Sequence, residues 1–173
     1  MDPDLAKLRQ LLQAEPRCAT SRPMKLQKVL HDFVANNEDA SRSANFASQV
    51  PDDLSDFVGI ISSPAAMATD EVALRVLKAL KILSRKYENR VRLGETIVAD
   101  LVRVLGEDRQ PAILGEAANV VLNVCYERDN VARIIAAGGV TPLIALLGAT
   151  QLDLQANAAG AIQSICFQSE GRS

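Results

Sequence analysis

The sequence predicts an all-α protein built as a solenoid of stacked three-helix repeats. Two observations support this fold class. Apolar residues recur at spacings of three and four along much of the chain, as at Ile97, Leu101, Val104 and Leu105, and this spacing places them on one face of a helix. The chain also resembles itself at a fixed offset, which is typical of repeat proteins.

The internal repeat has a period of 41 residues. The segment VLNVCYERDN aligns with IQSICFQSEG further along the chain and pairs Cys125 with Cys166. The segment LKILSRKYEN aligns with the first of these at the same offset and pairs Asn89 with Asn130. We therefore expect the two cysteines to be buried at equivalent places and the two asparagines to lie where a new helix starts.

The helices can be placed in order from the spacing of their apolar residues and from the residues that start or end a helix. We predict an N-terminal pair at 4–14 and 23–36, a short helix at 43–49, and further helices at 53–61 and 70–87. Two complete three-helix units follow. The predicted organisation is a degenerate or capping repeat at 1–41, a degenerate repeat at 42–87, complete repeats at 88–128 and 129–170, and the start of another at 171–173.

The last complete unit shows the clearest punctuation. Gly138 and the glycine after it should end its first helix, and Pro142 is tolerated in the first turn of the second. Gly148 should end that helix before a third, alanine-rich helix at 156–167. We expect Gly138 to have a positive φ, because glycine adopts that conformation without strain.

Composition excludes several classes of function. A net charge of −2 argues against a dedicated nucleic-acid-binding protein. No apolar run is long enough to span a membrane, and the acidic N-terminus lacks a secretory signal, so we expect no membrane insertion. The three widely spaced cysteines, Cys18, Cys125 and Cys166, fit reduced thiols. They favour a cytoplasmic location, with the nucleus as the alternative.

The chain contains no arrangement of residues that suggests catalysis. His31 is the only histidine, which leaves almost no material for a zinc site or a histidine-based triad. The acidic pair at 107–108 looks like a solvated loop, and the glycines at 138–139 lack the spacing of a phosphate-binding loop. We therefore predict no enzyme activity, no metal and no cofactor.

Residues 130–166 resemble the armadillo repeat. The matching positions are Asn130, Ile134, Gly138, Val140, Pro142, Leu143, Leu146, Leu147, Ala158, Ala159, Ala161, Ile162 and Ile165. Residues 89–124 match the third helix of the repeat, with Asn123 at the family's asparagine, but lack the glycine and proline. The resemblance implies a right-handed armadillo-type solenoid whose third helices line a concave groove.

In armadillo proteins the third-helix asparagine binds the backbone of an extended peptide, and an amide can both donate and accept a hydrogen bond. The resemblance therefore implies a groove site, with Asn123 in one unit and Ser164 at the equivalent position of the next. The predicted partner-binding residues are Arg75, Lys78, Arg85, Glu116, Asn119, Asn123, Asn157 and Ser164. The simpler interpretation is that Asn123 ties down a neighbouring turn. The absence of tryptophan argues against importin-alpha-like recognition.

Two functions remain open. The first is a protein-interaction scaffold that binds a protein or peptide, which would be acidic if Arg75, Lys78 and Arg85 form a basic stripe. The alternative is a regulatory module of a larger protein, autoinhibitory or small-GTPase-binding. The last repeat lacks an obvious polar cap. We therefore expect either a longer array or self-association through this end.

Overall fold

The computed structural model describes residues 22–39 and 69–168. These two ranges contain eight helices and no strand. Their bounds are Arg22–Asn37 (α1), Asp70–Leu83 (α2), Tyr87–Thr96 (α3), Val98–Leu105 (α4), Pro111–Val124 (α5), Arg128–Ala136 (α6), Val140–Leu146 (α7) and Leu152–Phe167 (α8). The predicted all-α class is confirmed. The helices predicted at 4–14, 43–49 and 53–61 lie outside the described residues.

The longer helices lie side by side in chain order. Helix α1 packs against α2, α2 against α5, and α5 against α8. The shorter helices pack beside them, with α3 against α6 and α4 against both α6 and α7. Each of the last two units therefore has two short helices followed by a long third helix, and each buries its apolar faces on its neighbour.

The core follows the apolar spacing of the third helices. Leu77 and Leu80 of α2 and Val121 and Val124 of α5 are fully buried, as their periodicity predicts. Ile165, one period after Val124, is also buried. Burying one such side chain stabilises the fold by roughly 1.5–3 kcal/mol, so these rows supply much of the driving force for stacking.

Two buried asparagines bind the ends of the third helices. Asn89 Nδ2 donates to the Leu83 carbonyl at 2.9 Å, and Asn130 Nδ2 donates to the Val124 carbonyl at 3.1 Å. Both asparagines lie in the first turn of the following helix. The predicted pairing of these two positions as helix starts is confirmed, and each contact fixes the angle between one unit and the next.

The helix predicted at 70–87 ends earlier than expected. Helix α2 stops at Leu83, and α3 begins at Tyr87 after a turn at 84–86. The Asn89 side chain donates a hydrogen bond to the Leu83 carbonyl, and Ser84 Oγ donates to the Lys81 carbonyl at 2.8 Å. These side chains satisfy carbonyls that a continuous helix would have bonded to its own N–H groups.

The turn between α6 and α7 depends on a glycine. Gly138 has a φ of 77°, as predicted. Its N–H donates to the Ile135 carbonyl, and the next N–H, of Gly139, donates to the Ile134 carbonyl, both at 2.9 Å. The two helices meet at 87°. Pro142 lies in the first turn of α7, where its missing N–H breaks no helical hydrogen bond.

The prediction that both paired cysteines are buried is wrong for one of them. Cys125 is fully buried, but Cys166 is exposed. The alignment itself holds, because Val124 and Ile165 beside them are both buried. The difference arises from stacking. The unit formed by α6, α7 and α8 packs onto α5, whereas no unit in the described residues packs onto α8 in the same way.

No single helix in the described ranges could cross a membrane by length and composition. Helices α6 and α7 pass that test only as a bent pair. Val131 and Ile134 of α6 and Leu143 of α7 are fully buried, whereas Ile144 of α7 is exposed.

Alanine at Gly138 and alanine at Gly115 should change stability in opposite directions. At both places the added Cβ would meet nothing within 4 Å. Gly138 has positive φ, so Gly138→Ala should destabilise the fold by about 1 kcal/mol or more. Gly115 lies inside α5, where alanine has the higher helix propensity, so Gly115→Ala should stabilise by up to about 1 kcal/mol. Urea denaturation measures both changes, and shifts of the same sign would contradict the assigned turn.

The two described cysteines should react differently with a thiol reagent. Burial raises the pKa of the Cys125 thiol to about 12, so little reactive thiolate is present near neutral pH. We expect Cys166 to be modified rapidly in the native protein and Cys125 only after denaturation. Peptide mapping by mass spectrometry distinguishes them, with Cys166→Ser as the control. Fast native modification of Cys125 would show that its place in the core is misassigned.

Candidate functional site

A groove of about 580 Å³ crosses the neighbouring helices α2, α5 and α8. We call it the third-helix groove. Its volume lies within the range of about 300–1,000 Å³ that is usual for ligand sites. Its polar lining consists of Lys78 and Lys81 of α2, Glu116 and Asn119 of α5, and Gln151, Asp153 and Asn157 at the start of α8.

Four of the eight predicted site residues line this groove, namely Lys78, Glu116, Asn119 and Asn157. The other four, Arg75, Arg85, Asn123 and Ser164, lie outside its lining. The structure thus brings together one predicted residue of α2, two of α5 and one of α8. The position that the family resemblance implies for peptide binding lies nearer the C-terminal ends of these helices.

Two asparagines link α5 to α8 across the groove. Asn119 Nδ2 donates to Asn157 Oδ1 at 3.1 Å, and Asn157 Nδ2 donates to the Gly115 carbonyl at 3.1 Å. Both side chains are half-buried. This chain of bonds fixes the amide planes on the groove wall, which favours directional hydrogen bonding to a bound backbone.

The charged residues on the α2 side differ in their pairing. Lys81 forms an ion pair with Glu116 at 2.9 Å, and both side chains are less than one-fifth exposed. Lys78, one turn earlier and half-buried, makes no ion pair or hydrogen bond with any described residue. Because Glu116 is neutralised by Lys81, Lys78 supplies the uncompensated positive charge on this wall.

Asn123 is engaged within the fold. Its Nδ2 donates to Ser84 Oγ at 2.9 Å and to the Lys81 carbonyl at 3.4 Å. Ser84 is fully buried, and Asn123 is half-buried. This geometry matches the simpler interpretation, in which Asn123 ties α5 to the turn at the end of α2.

The predicted basic stripe is divided by the structure. Arg75 pairs with Glu71 on the same helix at 2.7 Å. Arg85 donates to the carbonyls of Asn37 and Glu38, at 3.4 and 3.1 Å, and so caps the end of α1. A cation at a helix C-terminus is favourable because the last carbonyls and the helix dipole are negative.

Sequence reasoning missed several groove residues. Lys81, Gln151 and Asp153 line the groove but were not among the predicted site residues. Lys81 could have been found, because it lies one turn after Lys78 on the same helix. The position of Gln151 and Asp153 follows only from how closely the start of α8 approaches α5.

The arrangement is suited to recognition. It offers amide groups that donate and accept hydrogen bonds, the uncompensated Lys78 on α2, the Asp153 carboxylate at the start of α8, and apolar residues among its lining. Among the side chains of residues 22–39 and 69–168, no group of three or more His, Cys, Asp or Glu is placed to hold a metal ion.

Comparisons with known proteins agree with this architecture. Residues 128–167 match the armadillo/beta-catenin-like repeat family. Among solved structures, an engineered protein from the Northeast Structural Genomics Consortium superimposes with a TM-score of 0.75 at 20% identity, over 97% of this chain and 64% of that one. A computationally designed armadillo repeat protein for modular peptide recognition gives a TM-score of 0.72 at 21% identity, over 95% of this chain and 66% of that one.

A third similar structure is a designed armadillo repeat protein in complex with the peptide (KR)4, with a TM-score of 0.72 at 20% identity over 99% of this chain and 68% of that one. This chain thus spans less than two thirds of the length of the first two structures. The search of curated proteins found no match. Residues 128–167 thus match the armadillo repeat, and the chain has the predicted right-handed armadillo-type solenoid fold.

Proposed function

We propose that this chain is a non-enzymatic interaction scaffold that binds an extended peptide segment of a partner protein in the third-helix groove. The observation that carries the proposal is the alignment of Lys78, Asn119 and Asn157 across three neighbouring helices. An extended backbone presents N–H and C=O groups along its length, and fixed amides can bond both. Two similar structures are designed armadillo proteins described for peptide recognition or with a bound peptide, which supports a peptide as the kind of partner.

The partner should carry an acidic residue at the α2 side of the groove. Lys78 is uncompensated there, whereas Lys81 is paired with Glu116 and Arg75 with Glu71. An acidic side chain of the partner could therefore pair with Lys78. The regulatory alternative would use the same surface, and no contact among the described residues favours it over binding of a separate partner.

The exposed end of the last unit supports the predicted self-association as a second proposal. We define this end face by Leu147, Ala159 and Cys166. One period earlier, the side chains at the equivalent positions are covered by the next unit: Leu105 is 4% exposed against 41% for Leu147, and Ala118 is fully buried. Protection of Cys166 from thiol reagents that increases with protein concentration would support association through this face, and constant reactivity would contradict it.

Lys78→Glu should weaken the binding of an acidic peptide selected from a random display library on the immobilised protein. The change replaces attraction by repulsion, and the effect should be larger at low salt because exposed charges are screened beyond about 8 Å at physiological ionic strength. Fluorescence anisotropy at two salt concentrations measures it. Lys86→Glu, outside the groove lining, is the matched control. Equal affinities for the parent and Lys78→Glu would show that the groove is not the site.

Asn123→Ala should affect stability more than binding. It removes the donor to the buried Ser84 hydroxyl, so we expect destabilisation of about 0.5–1.5 kcal/mol. Because the side chain lies outside the groove lining, the affinity for the same selected peptide should stay unchanged. Thermal denaturation and anisotropy separate the two effects. Weaker peptide binding at unchanged stability would instead identify Asn123 as a peptide ligand.

A further inference from the structure

Side chains of neighbouring helices approach Gly94 and Gly160 closely, but no side chain approaches Gly115 in this way. A Cβ at Gly94 would overlap the side chain of Asn130, and a Cβ at Gly160 would approach the Leu122 side chain to 3.3 Å. These two glycines are explained by close packing. A Cβ at Gly115 would meet nothing within 4 Å, although Gly115 lies within α5 and lines the third-helix groove.

Glycine at this position is unfavourable for the helix alone. It lowers helix propensity relative to alanine, and α5 adopts ordinary helical geometry there. The Gly115 carbonyl accepts a bond from Asn157, but any residue would supply that carbonyl. What glycine does provide is empty space on the groove floor between α2 and α8.

The surroundings of this space define what would fill it. The groove lining includes apolar residues from all three helices, with Leu74 on α2, Ala112 on α5 and Leu154 on α8. The groove lining contains no aromatic residue, and the whole chain has no tryptophan. A large apolar group that fills the space must therefore come from the ligand, and aromatic side chains bury the most area per residue.

The rim of the space is polar on two sides. Lys78 lies one turn after Leu74 on α2 and has no described ionic partner, while Asn119 and Asn157 border the space toward α5 and α8. An apolar side chain in the space would thus be flanked by an acidic residue on Lys78 and by backbone groups on the asparagines. Apolar anchors inside a polar rim are typical of interaction hot spots.

We propose that the space over Gly115 is an anchor pocket for an aromatic side chain of the bound peptide, with an adjacent acidic residue paired to Lys78. The proposal rests on the groove being the peptide site. It names the class of partner as a segment in which an aromatic residue neighbours Asp or Glu. Closing the pocket from the protein side should then weaken recognition without harming the fold.

The test uses fluorescein-labelled synthetic peptides and fluorescence anisotropy at low salt. The probe is Ser-Ser-Glu-Phe-Glu-Ser-Ser, and two variants replace Phe with Ala or both Glu with Lys. The proteins are the parent, Gly115→Leu, Lys78→Glu and Ala132→Leu, the last adding a leucine at an exposed position on α6 outside the groove. Thermal denaturation should show Gly115→Leu to be at least as stable as the parent, because its Cβ enters open space.

We expect Gly115→Leu and the Phe-to-Ala peptide each to raise Kd by about tenfold or more, as for loss of a hot-spot anchor, with no change for Ala132→Leu. Lys78→Glu should reverse the preference between Glu- and Lys-flanked peptides. If peptides that lack a large apolar residue bind equally well and respond to Lys78→Glu but not to Gly115→Leu, the groove binds peptides and the anchor is refuted. If neither these peptides nor any selected from a random library binds, the proposed function fails as well.

Discussion

The fold depends on a hydrogen bond from a buried asparagine to the last carbonyl of the preceding third helix. Asn89 makes this bond to Leu83, and Asn130 makes it to Val124. The bond ends one long helix and starts the next short helix within a few residues. Because the asparagine side chain is buried, leaving its amide N–H without this partner would cost about 1–3 kcal/mol. The direction in which each unit leaves its predecessor is thereby fixed, and the third helices line up side by side.

Stacking also decides which polar groups the groove can offer. Asn123 is used to hold Ser84, Lys81 is used to hold Glu116, and the Nδ2 of Asn157 is used to hold α5. These contacts join one unit to the next and are half-buried. In the proposed function, recognition would therefore rely on the polar groups that do not join one unit to the next.

Much of the fold could be predicted from the sequence because the helices and turns of each repeat depend on local features, namely the spacing of apolar residues and the position of glycine. Apolar spacing predicted that Leu77, Leu80, Val121 and Val124 are buried, and glycine chemistry predicted the φ of Gly138. The break after Leu83 was missed. Residues 84–87 contain no glycine or proline, and the helix ends there because of a side chain that arrives from Asn89.

The site was harder to predict because it depends on neighbours in other units. The exposure of Cys166 and the engagement of Asn123 follow from what packs across a unit boundary, which no local pattern encodes. Arg85 looked like part of a basic surface, yet it caps α1. In the proposed anchor pocket Gly115 would contribute by lacking a side chain, and a single glycine in a helical segment gives no sign in sequence of whether its space is empty or filled.

The contact between Gly94 and Asn130 has a consequence for the modularity of the array. Asn130 also donates to the Arg90 carbonyl of the preceding unit, and a Cβ at Gly94 would overlap its side chain. One period after Gly94 stands Ile135, whose side chain would obstruct an asparagine arriving in the same way. The units are therefore not interchangeable building blocks. A duplicated copy of the last unit could not pack onto the original through this contact, because Ile135 would obstruct it. The contacts between units therefore restrict the order in which the repeats can follow one another.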